Sequence, residues 1–204
     1  MRKLIEWIAA IGLIAALHFF SNLFQIEYLA VFNNTPQMSV FYVPAAVRVF
    51  SVIIFGYWAG LGIAIGVLLL TIVAPVQPLD LDEILLNMIQ QGGGASLSLL
   101  VWASTSDKVS CLSNTQIDFG RINALDVFQM CLIQAVINSA TAHMFYIWSP
   151  SIHLDFDWHY YAVMLVGDLT GAFLVFIIAN IIFSVLKRTP FFARKHDDDP
   201  MNNQ

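Results

Sequence analysis

Long apolar runs dominate this chain, and a run of about 20 apolar residues has one stable arrangement in a bilayer, a helix that crosses it. Six such stretches are legible: about Leu4 to Gln25, Ser39 to Phe55, Leu61 to Val76, Glu83 to Ser104, Ala124 to Trp148, and His159 to Leu186. Gly56 to Gly60 reads as a tight connector between the second and third. Pro75 and Pro78 punctuate the end of the third, and Pro190 stops the sixth. The predicted fold is an all-α polytopic transmembrane bundle of six helices over residues 1–186. The tail over 187–204 is polar and reads as disordered. Composition agrees: 58% of residues are hydrophobic and 11% charged, against about 25% charged in soluble domains. Mean hydropathy is +0.72. The opening Met1-Arg2-Lys3 and its apolar run mimic a secretory signal. The run is too long, however, and no small-x-small cleavage site follows, so a retained first helix is expected.

Charge placement tests the count. Cytoplasmic loops of membrane proteins carry the excess of Lys and Arg. In a six-span arrangement Arg2, Lys3, Lys108, Arg121, Lys187, Arg188, Arg194 and Lys195 all fall on one side. Glu27, Asp80, Asp82, Glu83, Asp155 and Asp157 fall on the other, with no Lys or Arg beside them. Five or seven spans would spoil that separation. Both termini are therefore expected in the cytoplasm. Trp148, Trp158, Tyr160 and Tyr161 suit the interface. No basic patch with interleaved aromatics points to nucleic acid. Cys111 falls in a predicted cytoplasmic loop and Cys131 in a helix, which does not suggest a disulfide.

Arg48 is the one basic residue outside this pattern. It lies within the apolar run Phe41 to Phe55, where an arginine costs ~2.5–3.5 kcal/mol on insertion scales. Something must offset that cost. Asp168 lies about nine residues into the sixth helix, as Arg48 does in the second, which places both ~13 Å below the outer face. A buried ion pair is one reading, and a site for a small anionic ligand another. His18, Asn22, Asn87, Gln90, Gln91, Asn138 and His143 reach a similar depth, which predicts one polar pocket. Gly92-Gly93-Gly94 is expected either to unwind the fourth helix beside a binding site or to pack closely against a neighbour. Gly56/Gly60, Gly62/Gly66 and Gly167/Gly171 read as packing seams. His153, Asp155, Asp157 and His159 alternate as possible metal ligands but match no metal-site spacing. No cofactor is implied. No phosphate-binding Gly-Lys loop, H-E-x-x-H or G-x-S-x-G occurs, so catalysis is not expected.

Two stretches carry a resemblance. Pro44-Ala45-Ala46-Val47-Arg48, continuing through Phe55-Gly56-Tyr57-Trp58-Ala59-Gly60-Leu61-Gly62-Ile63-Ala64-Ile65-Gly66, resembles the early helical hairpin of the bacterial MASE1 family. Val166-Gly167-Asp168-Leu169-Thr170-Gly171 resembles its later Gly-Asp-x-x-Gly helix. The family comprises membrane-integral sensory modules, usually fused to histidine kinase or diguanylate cyclase domains. The resemblance implies that Pro44, Gly56, Gly167, Asp168 and Gly171 are family positions. It implies a sensory or ligand-binding role, with signalling through a separate partner. MASE1 domains usually carry more spans than are counted here. Two alternatives stay open: the substrate-binding subunit of an energy-coupling-factor-type vitamin transporter, and a structural subunit of a membrane complex.

Overall fold

The computed structural model of the protein describes residues 2–35, 38–74, 79–106, 123–152, 155 and 157–187. Lys108, Cys111, Arg121, His153 and the tail from 188 lie outside them, as do Pro75 and Pro78. The described residues form α1 (Arg2–Tyr28), a single 3₁₀ turn (Ala30–Phe32), a short antiparallel ladder of β1 (Asn33–Thr35) and β2 (Met38–Ser39), then α2 (Pro44–Phe55), α3 (Trp58–Val73), α4 (Leu81–Thr105), α5 (Ala124–Trp148) and α6 (Trp158–Lys187). The molecule is an all-α bundle with one small hairpin attached.

Four helical segments are long and apolar enough to cross a membrane: Leu4–Tyr28, Leu81–Thr105, Ala124–Trp148 and Trp158–Ile178. The second helix is shorter than the sequence suggests, and the third keeps its expected length but starts and ends three residues earlier. α2 has 12 residues and α3 has 16, about 18 and 24 Å at helical rise, against a hydrocarbon core of about 30 Å. The stretch 39–43 does not join α2 because Pro44 occupies its first turn. Proline is tolerated there, but helix continuing on its N-terminal side would lose a hydrogen bond and meet the ring. At the other end Gly56 takes φ 63°, a conformation that side chains disfavour, and turns the chain into α3 within two residues. The expected connector over Gly56–Gly60 is thus only Gly56-Tyr57, with Gly60 inside α3.

The helices pack in the order α1, α3, α4, α5, α6, with α2 closing the ring between α6 and α1. α2 also touches α3, α4 and α5, so the shortest helix meets every other one. Eight of its residues are buried: Pro44, Ala45, Ala46, Arg48, Val49, Ser51, Val52 and Ile53. Around its lower part lies the apolar core, including Ile14 of α1, Ile63 of α3, Leu99 and Trp102 of α4, and Met130 of α5.

α4 runs unbroken through Gly92-Gly93-Gly94, so of the two expectations for the triple glycine it is close packing, not unwinding, that is found. Packing holds it straight. A Cβ on Gly92 would meet the Gly60 carbonyl of α3, and one on Gly94 would lie 3.4 Å from Thr141 of α5. Gly62 and Gly66 likewise admit α1, against Ile14 and Ala15. Gly167 and Gly171 form a seam of another kind. Their neighbour is no helix but the non-helical backbone of 39–42: a Cβ on Gly167 would strike the Ser39 carbonyl, and one on Gly171 the Tyr42 carbonyl.

That segment descends along α6, and its polar groups are satisfied inside the protein. The Tyr42 amide donates to the Gly167 carbonyl at 3.0 Å, and Thr170 Oγ1 donates to the Val40 carbonyl at 2.7 Å. Gln25 of α1 holds the other side. Its Nε2 donates to the Phe41 carbonyl at 3.0 Å, and its Oε1 accepts from the Val43 amide at 3.1 Å. Non-helical backbone at membrane depth persists only where such partners replace water.

Candidate functional site

Arg48 projects from the first turns of α2 and is 1% exposed. Its Nη2 donates to Asp168 Oδ1 of α6 at 3.2 Å. Its Nη1 donates to Asn138 Oδ1 of α5, while Asn138 Nδ2 donates to Asp168 Oδ2 at 2.6 Å. The three side chains close a ring in which each touches the other two. Gln90 of α4 extends it, donating from Nε2 to Asn138 Oδ1 at 3.2 Å and to Thr141 Oγ1 at 3.1 Å. The Tyr42 ring lies beneath the guanidinium, 5.2 Å from its carbon to the ring centroid, within the range of a cation–π contact. The charge that seemed unaccountable is offset by a carboxylate, an amide and an aromatic face.

A cavity of about 50 Å³ opens beside this ring. Arg48, Asp168, Asn138, Gln90, Gln91 and Tyr42 form its polar wall; Ala142, Tyr146 and Met164 face them. A second chain of hydrogen bonds leads away from it. Tyr42 Oη donates to Asn22 Oδ1 at 2.7 Å. Asn22 Nδ2 donates to the His18 carbonyl at 2.8 Å. His18 Nε2 lies 3.2 Å from Gln91 Oε1, and Gln91 Nε2 donates to Asn87 Oδ1 at 3.0 Å. The same His18 Nε2 lies 3.3 Å from Asn22 Nδ2; a protonated Nε2 donates to Gln91 Oε1, and a bare Nε2 accepts from Asn22, so the tautomer selects between the two contacts.

Five expected site residues thus share one cavity: Arg48, Asp168, Asn138, Gln90 and Gln91. His18 stands behind it, linked through Asn22 and Tyr42. His143 lies apart: its Nε2 accepts from the Asp157 amide at 3.3 Å, and its ring faces Tyr161 edge-on. The pocket predicted from equal depth is therefore narrower than expected, because depth along a helix does not fix which face a side chain takes. As for metal ligands, His153 lies outside the described residues. Asp157 accepts from the His159 amide at 2.7 Å and so serves the start of α6. Among the described residues no group of three or more His, Cys, Asp or Glu side chains is placed to hold a metal ion. Cys131 is a buried free thiol.

Two features escaped sequence reasoning. Tyr42 joins the cavity from the non-helical stretch 39–42, and nothing in its spacing signalled that. Glu83, counted among the outer acidic residues, is 2% exposed. Its carboxylate accepts from the hydroxyls of Ser149 and Ser151 and from the Ser151 amide. It also accepts from the Asp80 amide at 2.9 Å, closing a capping box at the start of α4. The spacing Asp80-Leu81-Asp82-Glu83 carries that signal; the clamp on the α5–α6 turn has none.

Comparison of the chain with protein families, with curated proteins and with solved structures finds no match. The stretches 44–66 and 166–171 fall on α2, the first half of α3, and α6. They contribute Arg48 and Asp168 respectively to the ring.

Proposed function

We propose that this protein is a sensory or ligand-binding module of MASE1-like type, multi-pass in a bacterial inner membrane with both termini cytoplasmic, and that it signals through a separate partner. One observation carries the reading. The polar cavity is walled by Arg48, and Arg48 belongs to the helix that touches every other helix. A molecule bound beside the guanidinium acts directly on α2 and on the 39–43 segment that leads into it. Binding shifts the bundle only if the two arrangements differ in affinity for the molecule. The vitamin-transporter alternative rests on six helices in about 200 residues, and an unwound fourth helix would add to it, but α4 is continuous. A cavity of about 50 Å³ is also small beside the roughly 300–1,000 Å³ of sites for drug-sized ligands.

The test is thermal unfolding of the purified protein in lipid nanodiscs against a panel of small polar molecules. A binder raises the midpoint, by about 2.7 kcal/mol of stability at a hundredfold excess over Kd. Ala142→Leu, which fills the cavity, removes the effect. No stabilisation by any member of a broad panel would sink the ligand-binding reading.

A further inference from the structure

The charge balance of the cavity narrows the class of molecule it takes. Among the described residues Arg48 and Asp168 are the charged side chains on its wall, and their charges cancel. Both are nearly inaccessible, at 1% and 4% exposed. An added anion leaves a net negative charge in a desolvated site and competes with Asp168 for the guanidinium. An added cation does the reverse. Burying a net charge is far more costly than burying a paired one. A molecule carrying both charges preserves neutrality and complements both residues.

The wall has the free valences for it. Arg48 Nε is buried without a hydrogen-bond partner, and a guanidinium has five N–H groups, of which the Asn138 and Asp168 contacts use two. Each Asp168 oxygen accepts one bond and retains a lone pair. Size sets the other bound. A water needs roughly 10–15 Å³ of such volume, so 50 Å³ holds about four waters, close to the bulk of the smallest amino acids.

The geometry points to a small zwitterion, an α-amino acid of glycine or alanine size, as the ligand. Its carboxylate meets Arg48 and its ammonium meets Asp168. This inference rests on the ligand-binding reading above, and deepens it.

Three probes of similar size separate the possibilities: glycine, acetate and methylammonium, each titrated calorimetrically into the full chain in nanodiscs. Glycine is expected to bind at least about tenfold more tightly than either singly charged probe, a difference of about 1.4 kcal/mol. Asp168→Asn leaves Arg48 uncompensated and is expected to reverse the order of glycine and acetate. Should that variant fail to fold, Ala142→Leu keeps both charges and is expected to abolish glycine binding. Acetate binding as tightly as glycine to the natural chain overturns the inference and leaves the ligand-binding reading standing. So does glycine binding that survives Ala142→Leu. If none of the three probes binds while another molecule of the panel does, the inference again falls alone; if nothing binds, both fall.

Discussion

Asn138 holds the ring of Arg48 and Asp168 together, and its removal is more damaging than its small size suggests. It accepts from Arg48 and donates to Asp168, and both partners are buried. Asn138→Ala leaves a guanidinium N–H and a carboxylate oxygen unsatisfied away from water. Each such loss costs about 1–3 kcal/mol. The variant is expected to unfold several degrees below the natural protein in a thermal melt, and an unchanged midpoint would count against the ring. At this scale the sequence was partly readable. Arg48 and Asp168 share a depth, and depth follows from counting residues along two helices. Asn138, Gln90 and Gln91 could be grouped the same way, but so could His143, which faces Asp157 and Tyr161 instead. Which neighbours meet depends on helix rotation, and that is set by packing partners far away in sequence.

Among the elements, the least helical segment explains the most. The non-helical run 39–42 lies along α6, and Gly167 and Gly171 are glycine because Ser39 and Tyr42 carbonyls occupy the space a side chain needs. Gly167→Ala and Gly171→Ala press on backbone, which cannot swing aside as a side chain can. Overpacking of this kind costs roughly 1–3 kcal/mol. Gly93→Ala is the control: its Cβ lies 3.9 Å from Ile89 and meets nothing closer. Alanine there adds helix propensity worth up to about 1 kcal/mol. Denaturant or thermal melts of the three variants are expected to show two losses and one neutral or stabilising change; equal behaviour would mean that 39–42 does not pack on α6. The long helices α1, α4, α5 and α6 were legible because length and hydropathy suffice to define them. α2 and α3 were misjudged by a few residues because Pro44 and Gly56 act on backbone conformation, which an apolar run does not reveal. The triple glycine left two outcomes open for a related reason. Its freedom would unwind a helix left alone, but here Gly92 and Gly94 admit neighbouring helices and are held by them.

In the molecule as a whole, a neutral polar cluster sits in an apolar bundle at the point where the shortest helix meets all the others. Glu83 ties α4 to the α5–α6 turn, Gln25 ties α1 to the descending segment, and Arg48 ties α2 to α5 and α6. Each tie is polar, and those of Glu83 and Arg48 join elements distant in sequence. Such contacts specify one packing among the many that apolar helices allow in lipid, where the hydrophobic effect does not distinguish them. The central claim is that Arg48 is tolerated because Asp168 answers it. A double-mutant cycle on the unfolding free energy of the intact bundle tests this directly, using Arg48→Leu, Asp168→Leu and the double variant. Each single change strands a buried charge and is expected to cost about 3–5 kcal/mol, while the double variant, with no charge left to strand, loses much less than their sum. Strictly additive losses would contradict the account.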